Sequence, residues 1–196
     1  LNNATDMMPV EDVDLAKKEI NKKYNISDDE KVFLFVGRIN ILKNVLFIVE
    51  SLKILKDRGF KFKMLYVGSG QDEDKLKEKI KELQLGNEVL LCGRITDREL
   101  MKKIYARADL FLFPSLYDAS SLVQVEAASQ HTPTIFIEGA ATTATVTNNV
   151  NGIIAKNSID DYANQIEKMI TDSEFYNKIA DGAFRDLYKN WDDTVK

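Results

Sequence analysis

Short apolar runs that alternate with amphipathic, helix-length segments constrain the fold of this chain most. Five such runs recur at intervals: Val32–Val36, Met64–Val67, Val89–Cys92, Leu110–Phe113 and Thr134–Ile137. They are too short for helices and too uniformly apolar for strands with one exposed face. We therefore expect parallel strands that are covered by helices on both faces.

Helical patterns fill the intervals between these runs. They lie at Lys43–Asp57, Gln71–Leu83, Thr96–Arg107 and Ser121–Gln130. Strand–helix alternation of this kind predicts an α/β, Rossmann-like, doubly wound parallel sheet, and Asn151-Gly152 predicts a turn into a short sixth strand at Ile153–Ala155. Ligands of such sheets bind beyond the carboxyl ends of the strands, so the residues that follow each strand matter most.

The composition excludes several functional classes. The chain has 196 residues, 44% hydrophobic and 30% charged, and a formal charge of −4 with both signs interleaved, so we expect no nucleic-acid partner. The single cysteine, Cys92, rules out a disulfide framework and is expected to be a buried core thiol. No run is long enough for a membrane span, and we expect a cytoplasmic protein.

The loop after the first strand carries two cations. Gly37 allows a ligand to approach the backbone, and Arg38 and Lys43 together could hold a diphosphate. A tight turn flanked by surface cations is the alternative for this loop.

The second and third loops are less specific. Gly68-Ser69-Gly70 is followed by Asp72, Glu73 and Asp74, which would repel a phosphate, so this loop either forms the wall of a base or ribose site or is only a turn. After the third strand, Arg94 could stack on a base or lie on the surface. Thr96 and Glu99 then predict a capping box.

The segment after the fourth strand carries the strongest functional signal. Ser121 and Gln124 form a second candidate capping box, and a helix start suits a phosphate. Asp118 lies before that helix and Glu126 inside it, where carboxylates could bind the hydroxyls of a sugar and of a ribose. A capped helix with solvated acids is the alternative. The lone histidine, His131, is expected to be structural.

Taken in order, these segments resemble a known enzyme family. Gly37-Arg38 with Lys43, Gly68-Ser69-Gly70, Gly93-Arg94, Pro114-Ser115 and Glu126-Ala127-Ala128 are similar to the donor half of family-4 retaining glycosyltransferases. Those are GT-B enzymes, in which two Rossmann-like domains face each other across a cleft. The resemblance extends from Val32 to Gly152.

The resemblance implies a catalytic set. Arg38 and Lys43 would bind the donor diphosphate, and Asp118, the first acid of an acid-x7-Glu pattern, would contact the transferred sugar. Glu126, the second acid, would bind the ribose hydroxyls. No metal or other cofactor is implied, because these cations and the helix dipole take over its electrostatic role.

The remaining donor contacts are also implied by the resemblance. Arg94-Ile95 would border the base of a nucleoside-diphosphate sugar, most simply a UDP-sugar. Backbone N–H groups around Ser120, Ser121 and Leu122 would face the sugar and the distal phosphate. Gly37 and Gly68 complete the expected donor-binding set.

The sequence departs from the family pattern in four places. Asp118 stands where a Glu is usual, and Ala119-Ser120-Ser121 replaces Gly-Phe-Gly. His131 replaces a Gly, and Ala144 stands where a Glu often follows. Ribose and diphosphate recognition are therefore expected to be intact, whereas the choice of hexose could differ.

Domain limits follow from the same resemblance. Asn3–Asp6 resembles the segment that follows the first domain in the family. We expect residues 1–30 to form an interdomain segment with a leading helix, 31–172 the nucleotide-sugar domain, and 173–196 a helix that returns to an N-terminal domain. That domain would bind a glycan or lipid-linked acceptor and provide any peripheral membrane contact. The isolated half is expected to be inactive.

The sequence thus predicts the donor-binding domain of a retaining hexosyltransferase. A nucleotide-sugar 2-epimerase or phosphorylase-like domain of the same fold is the first alternative. A non-catalytic doubly wound binding module is the second.

Overall fold

The computed structural model of the protein describes residues 4–118 and 122–194. Its sheet has six parallel strands among these residues, in the order β3-β2-β1-β4-β5-β6. The strands are β1 Lys31–Val36, β2 Phe62–Val67, β3 Val89–Gly93, β4 Leu110–Leu112, β5 Thr134–Ile137 and β6 Ile153–Ala155. The predicted α/β, Rossmann-like, doubly wound sheet is confirmed.

Helices of the described residues follow the strands in alternation. They are α1 Val13–Tyr24, α2 Val45–Asp57, α3 Glu73–Glu82, α4 Arg98–Arg107, α5 Leu122–Ser129, α6 Ile159–Thr171, α7 Ser173–Leu187 and α8 Trp191–Thr194, with 3₁₀ turns at Ile41–Lys43 and Ala141–Thr145. Helix α2 packs against α3 and α6, α4 packs against α1 and α5, and α7 contacts both α5 and α6. None of the helices in the described ranges combines the length and apolar character that crossing a bilayer requires.

The central strands are buried on both faces, as the apolar runs predict. In β1, Val32, Phe33, Leu34 and Phe35 have no exposed surface. The two phenylalanine rings of β1 join a cluster of aromatic side chains that also includes rings from β2 and the end of β4. Between ring centroids, Phe35 lies 5.8 Å from Tyr66 and 6.3 Å from Phe113. This packing holds the neighbouring loops at one edge of the sheet in fixed positions.

Three helix starts differ by two residues from the sequence expectation, and one of them is α3, which begins at Glu73 and not at Gln71. Helix α2 begins at Val45 and not at Lys43, because Asn44 adopts a left-handed conformation (φ 62°) that separates it from the 3₁₀ turn. The predicted Thr96–Glu99 capping box is wrong, since the Asp97 carboxylate caps α4 by accepting from the Glu99 and Leu100 N–H groups at 3.0 and 3.2 Å. The predicted cap at Ser121 lies outside the described residues.

The loops after β1 and β2 pack against each other without room for side chains. A Cβ atom on Gly68 would lie 1.9 Å from the carbonyl oxygen of Gly37, and one on Gly70 would lie 2.2 Å from that of Ile39. These glycines therefore permit a close backbone contact between the two loops.

Replacing Gly70 by alanine tests this contact. The variant is expected to lose about 1–3 kcal/mol of unfolding free energy or more, because the added methyl group must displace backbone. Urea unfolding measures the loss. Gly86→Ala is the matched control, since a Cβ there meets nothing within 4 Å, and its stability should change by less than about 0.5 kcal/mol. Equal effects of the two substitutions would contradict the packing.

Cys92 in β3 is half-buried, not fully buried as expected, and packs against the core. Burial raises the pKa of its thiol to about 11, although a hydrogen bond with Tyr24 and the charge of Lys23 oppose the shift. A thiol with this pKa is protonated at neutral pH, so Cys92 is a poor nucleophile.

The alkylation rate of Cys92 is expected to reflect this shift. In the folded protein the rate with iodoacetamide should keep rising up to pH 10, because the thiolate fraction is still growing there. In urea the rate should level off roughly one unit above the ordinary thiol pKa of about 8.5. Circular dichroism at each pH controls for unfolding. A plateau below pH 9 in the folded protein would contradict the assignment.

Candidate functional site

The candidate site lies between β1 and β4. The strands that follow β1 in the chain extend the sheet on one side of it up to β3, and β4 begins the other side. Strand β1 pairs in parallel with β4 through Phe33–Leu110 and Leu34–Phe111, while β2 continues the sheet on the other side. Doubly wound sheets bind ligands in the crevice at this reversal of strand order, outside the carboxyl ends of the strands. The loops that follow β1 and β4 carry Arg38, Lys43 and Asp118.

These two loops are joined by a hydrogen bond and an ion pair. The Asn44 side-chain amide donates to the Pro114 carbonyl oxygen at 3.1 Å. The ammonium of Lys43 forms an ion pair with Asp118, and about a quarter of each side chain is exposed. Two residues that were assigned to one site from the sequence, 75 positions apart, are thus in direct contact.

Only half of the Asp118 carboxylate is used in this pair. Oδ1 contacts Lys43, whereas Oδ2 is buried and makes no hydrogen bond with any of the described residues. A buried carboxylate oxygen without a donor is costly. Among the described residues, Oδ2 therefore has its capacity to accept a hydrogen bond unused.

The loop after β1 is shaped by the loop after β2. Ile39 N–H donates to the Ser69 carbonyl oxygen at 3.0 Å, and Ile41 N–H donates to a carboxylate oxygen of the buried Asp72 at 2.8 Å. The Asn40 side chain then accepts from Lys43 N–H at 3.0 Å. The position of Lys43 is thus held by three consecutive contacts.

Asp72 is a supporting residue that the sequence analysis missed. We expected it, with Glu73 and Asp74, only to repel a phosphate. Its carboxylate instead satisfies a backbone donor of the cationic loop. The signal for this role was weak, because nothing in the sequence distinguishes a carboxylate that faces the helix start from one that faces a neighbouring loop.

Arg38 differs from Lys43 in its surroundings. It is exposed, and it makes no ion pair or hydrogen bond with its side chain in the part of the chain that the structure describes. A guanidinium that has no partner among the described residues, on the same loop as a paired lysine, is suited to bind an anion.

Glu126 lies in α5 and is almost completely buried, with 5% of its surface exposed. Oε1 of its carboxylate accepts from Nη2 of Arg98 at 3.2 Å, and the same nitrogen donates to Oδ1 of Asp6 at 2.9 Å. Desolvation opposes the charge of Arg98, but the bonds to these two acids outweigh it and raise the Arg98 pKa.

Arg98 is the second residue that the sequence analysis missed. It occupies the first position of α4, where the helix dipole disfavours a cation. An arginine in the first turn of a helix is unfavourable, so its presence after the Asp97 cap indicated that an acid from another part of the chain pairs with it.

Tyr105 adds a second group near Glu126. The residue is fully buried, and its hydroxyl makes no hydrogen bond of ordinary geometry with the described residues. Burial raises the Tyr105 pKa well above its ordinary value, and the charge of Glu126 raises it further. The phenol therefore keeps its proton next to the carboxylate.

The other predicted residues are spread along the same edge of the sheet. Gly68 N–H donates to the Gly93 carbonyl oxygen at 2.8 Å, which places the third loop beside the second. Arg94 is exposed, Ile95 is half-buried against the core, and Leu122 is 44% exposed at the start of α5. Ser120 and Ser121 lie outside the described residues.

His131, which the sequence predicts to be structural, packs against a neighbouring helix. It follows α5 in a left-handed conformation (φ 58°). Its ring stacks on Phe184 of α7 at 3.9 Å between centroids.

The sequence matches the family described as Glycosyl transferases group 1 over residues 16–186. An uncharacterized glycosyltransferase of Methanocaldococcus jannaschii is 27% identical over 191 residues, which cover 94% of this chain and 48% of the relative. The chain spans about half the length of this relative. It spans less than half the length of two other relatives that it matches.

Solved structures show the same fold. HepE of Anabaena, in complex with UDP and glucose, has a TM-score of 0.79 at 20% identity, covering 91% of this chain and 51% of HepE. The C-terminal domain of LpcC, a group 1 family protein of Francisella tularensis, has a TM-score of 0.76 at 20% identity, covering 91% of this chain and 92% of that domain.

The similar structures are GT-B glycosyltransferases, and this chain corresponds to about half of the length of HepE, as expected for one domain of such an enzyme. The match over most of the chain, together with the fold, identifies the protein as a member of the Glycosyl transferases group 1 family.

Proposed function

We propose that this chain is the donor-binding domain of a retaining hexosyltransferase. It would bind a nucleoside-diphosphate sugar and present the sugar to a hydroxyl group of a glycan or lipid-linked acceptor, held by a second, N-terminal domain. The observation that carries this proposal is the contact between Lys43 and Asp118 at the reversal of the sheet. A cation and a sugar-binding acid meet there in a chain of the group 1 family.

The diphosphate is assigned to Arg38 and Lys43. When the bond between the anomeric carbon and the distal phosphate oxygen breaks, negative charge grows on the leaving diphosphate. Two cations on one loop would stabilise that charge as it develops. Because they provide positive charge themselves, we propose that binding and transfer need no metal ion or other cofactor.

The transferred sugar is assigned to Asp118. Its Oδ2 atom lacks a donor within the described residues, so a sugar hydroxyl would satisfy it. The N–H groups around Ser120, Ser121 and Leu122 would complete the sugar and distal phosphate contacts. The shorter side chain of Asp118, relative to the usual Glu, would change which hexose fits best.

The nucleoside is assigned to the remaining residues. The buried Glu126 would accept hydrogen bonds from the ribose hydroxyls, and Arg94-Ile95 would border the base. Gly37 and Gly68, whose loops pack against each other, would line the donor site at the ends of β1 and β2. HepE, which shares the fold, binds UDP and UDP-glucose, and this supports a UDP-sugar as the first donor to test.

Replacing Lys43 by alanine tests the diphosphate assignment. UDP affinity, measured by calorimetry on this chain, should fall about ten- to a hundredfold, the value of one charge-assisted hydrogen bond. Uridine affinity should not change, because the nucleoside contacts are elsewhere. Titrations with EDTA and with Mg²⁺ should give equal affinities for the unaltered chain.

Lys53→Ala is the matched control for this measurement, since Lys53 is a partly exposed lysine of α2 that pairs with Asp57. Loss of UDP and uridine affinity together, or no loss of either, would contradict the assignment. In an enzyme that also contains the acceptor domain, Lys43→Ala should lower turnover about 10²–10³-fold. Isomerisation of the donor without an acceptor would favour an epimerase instead.

Replacing Asp118 by asparagine separates its two roles. The substitution removes the charge that competes for Lys43, so the affinity for UDP should stay the same or rise severalfold. The additional affinity of UDP-glucose over UDP should decrease severalfold, because the sugar loses a charged acceptor and keeps only a neutral amide oxygen. The ratio of the two dissociation constants measures this. A parallel loss for both ligands would show that Asp118 acts through the fold.

A further inference from the structure

A chain of three charged residues connects Glu126 to the segment that precedes α1. Nη2 of Arg98 lies 2.9 Å from Oδ1 of Asp6 and 3.2 Å from Oε1 of Glu126. The donor contacts proposed above use Glu126 alone, so they give no reason for Arg98 or Asp6 to be there.

The buried acid requires a cation. Only 6% of the Glu126 side chain is exposed, and Arg98 is the one cation that pairs with it among the described residues. A buried carboxylate that loses its cation is left with an uncompensated charge. Arg98 is the first residue of α4, where the helix dipole disfavours a positive charge. Its ion pairs with Asp6 and Glu126 therefore stabilise it at that position.

The turn directly after α5 holds the segment at a second point. Gln130, four residues after Glu126, accepts from Val10 N–H at 2.9 Å and donates to the Met8 carbonyl oxygen at 2.8 Å. The segment of residues 4–10 therefore passes beside the C-terminal end of α5, with Met8 and Val10 bound to Gln130 and Asp6 joined to Glu126 through Arg98.

The segment is also fixed at its beginning. Thr5 N–H donates to the Lys189 carbonyl oxygen at 2.9 Å, and Thr5 forms a parallel bridge with Asn190. Asp6 is thus held between two fixed points, so that its carboxylate has a defined place from which to orient Arg98.

We propose that Arg98 is a positioning residue for ribose recognition: it binds Oε1 of Glu126, leaves Oε2 to the ribose hydroxyls, and is itself oriented by Asp6. This rests on the proposed function of Glu126 as the ribose-binding acid. Arg98 suits the role because its planar guanidinium can hold two acids at once, which a lysine ammonium does less well.

Discrimination between UDP and 2′,3′-dideoxy-UDP tests the proposal, because the analogue lacks only the ribose hydroxyls. Calorimetry on the unaltered chain should show a preference for UDP of about tenfold or more. Arg98→Met should lose most of that preference while its affinity for dideoxy-UDP changes less than about twofold. Arg98→Lys should recover part of it.

A double variant tests whether the two residues act together. If Arg98 works through Glu126, then Arg98→Met combined with Glu126→Gln should discriminate no worse than Glu126→Gln alone. Asp6→Asn, which leaves the Arg98–Glu126 pair intact, should reduce the preference less than Arg98→Met. It also provides a second test if Arg98→Met fails to fold.

Lys103→Met is the matched control. Lys103 lies on the same helix, one turn further on, and pairs with Glu19 at 2.6 Å, so its loss should leave the preference unchanged. If Arg98→Met keeps the preference that Glu126→Gln loses, the positioning role is wrong and the ribose assignment stands. If Glu126→Gln also keeps it, both are wrong.

Discussion

The parallel pairing of β1 with β2 on one side and β4 on the other is the constraint on which the rest of this structure depends. Because β1 is buried on both faces, its position is set by packing and not by any ligand. The direction of the chain on either side then brings the loops after β1 and β4 to one edge. Lys43 and Asp118 meet there although 75 residues separate them. The candidate site is a consequence of the topology of the sheet.

The sequence predicted the sheet well because its signal is local. Apolar runs buried on both faces are recognisable from a few neighbouring residues, and β5 and β6 begin and end at the predicted residues. The helix starts were less accurate, since the left-handed Asn44 and the carboxylate of Asp97 shift them by two residues. Both depend on a backbone conformation or a side-chain direction, which a pattern of residue types does not specify.

The candidate site was predicted only where topology sufficed. Because ligands of doubly wound sheets bind beyond the carboxyl ends of the strands, Arg38, Lys43 and Asp118 were expected at one edge of the sheet. That expectation does not specify which charges form ion pairs. Arg98 contacts Asp6 and Glu126 at separations of 92 and 28 residues. Such pairs depend on how α4, α5 and the segment of residues 4–10 pack, and no local pattern encodes them.

The two ion pairs of the site differ in a way that fits the two ends of the proposed donor. Lys43 pairs with Asp118 through a single ammonium on a flexible side chain, which can move to a phosphate when one arrives. Arg98 holds Glu126 and Asp6 together through a planar group that loses less freedom for each bond it makes. The lysine pair lies where the proposed reaction changes the charge of the ligand. The arginine contacts lie where the proposed ribose would stay unchanged, so an exchangeable contact would serve the reacting end of the donor and a persistent one the recognition end.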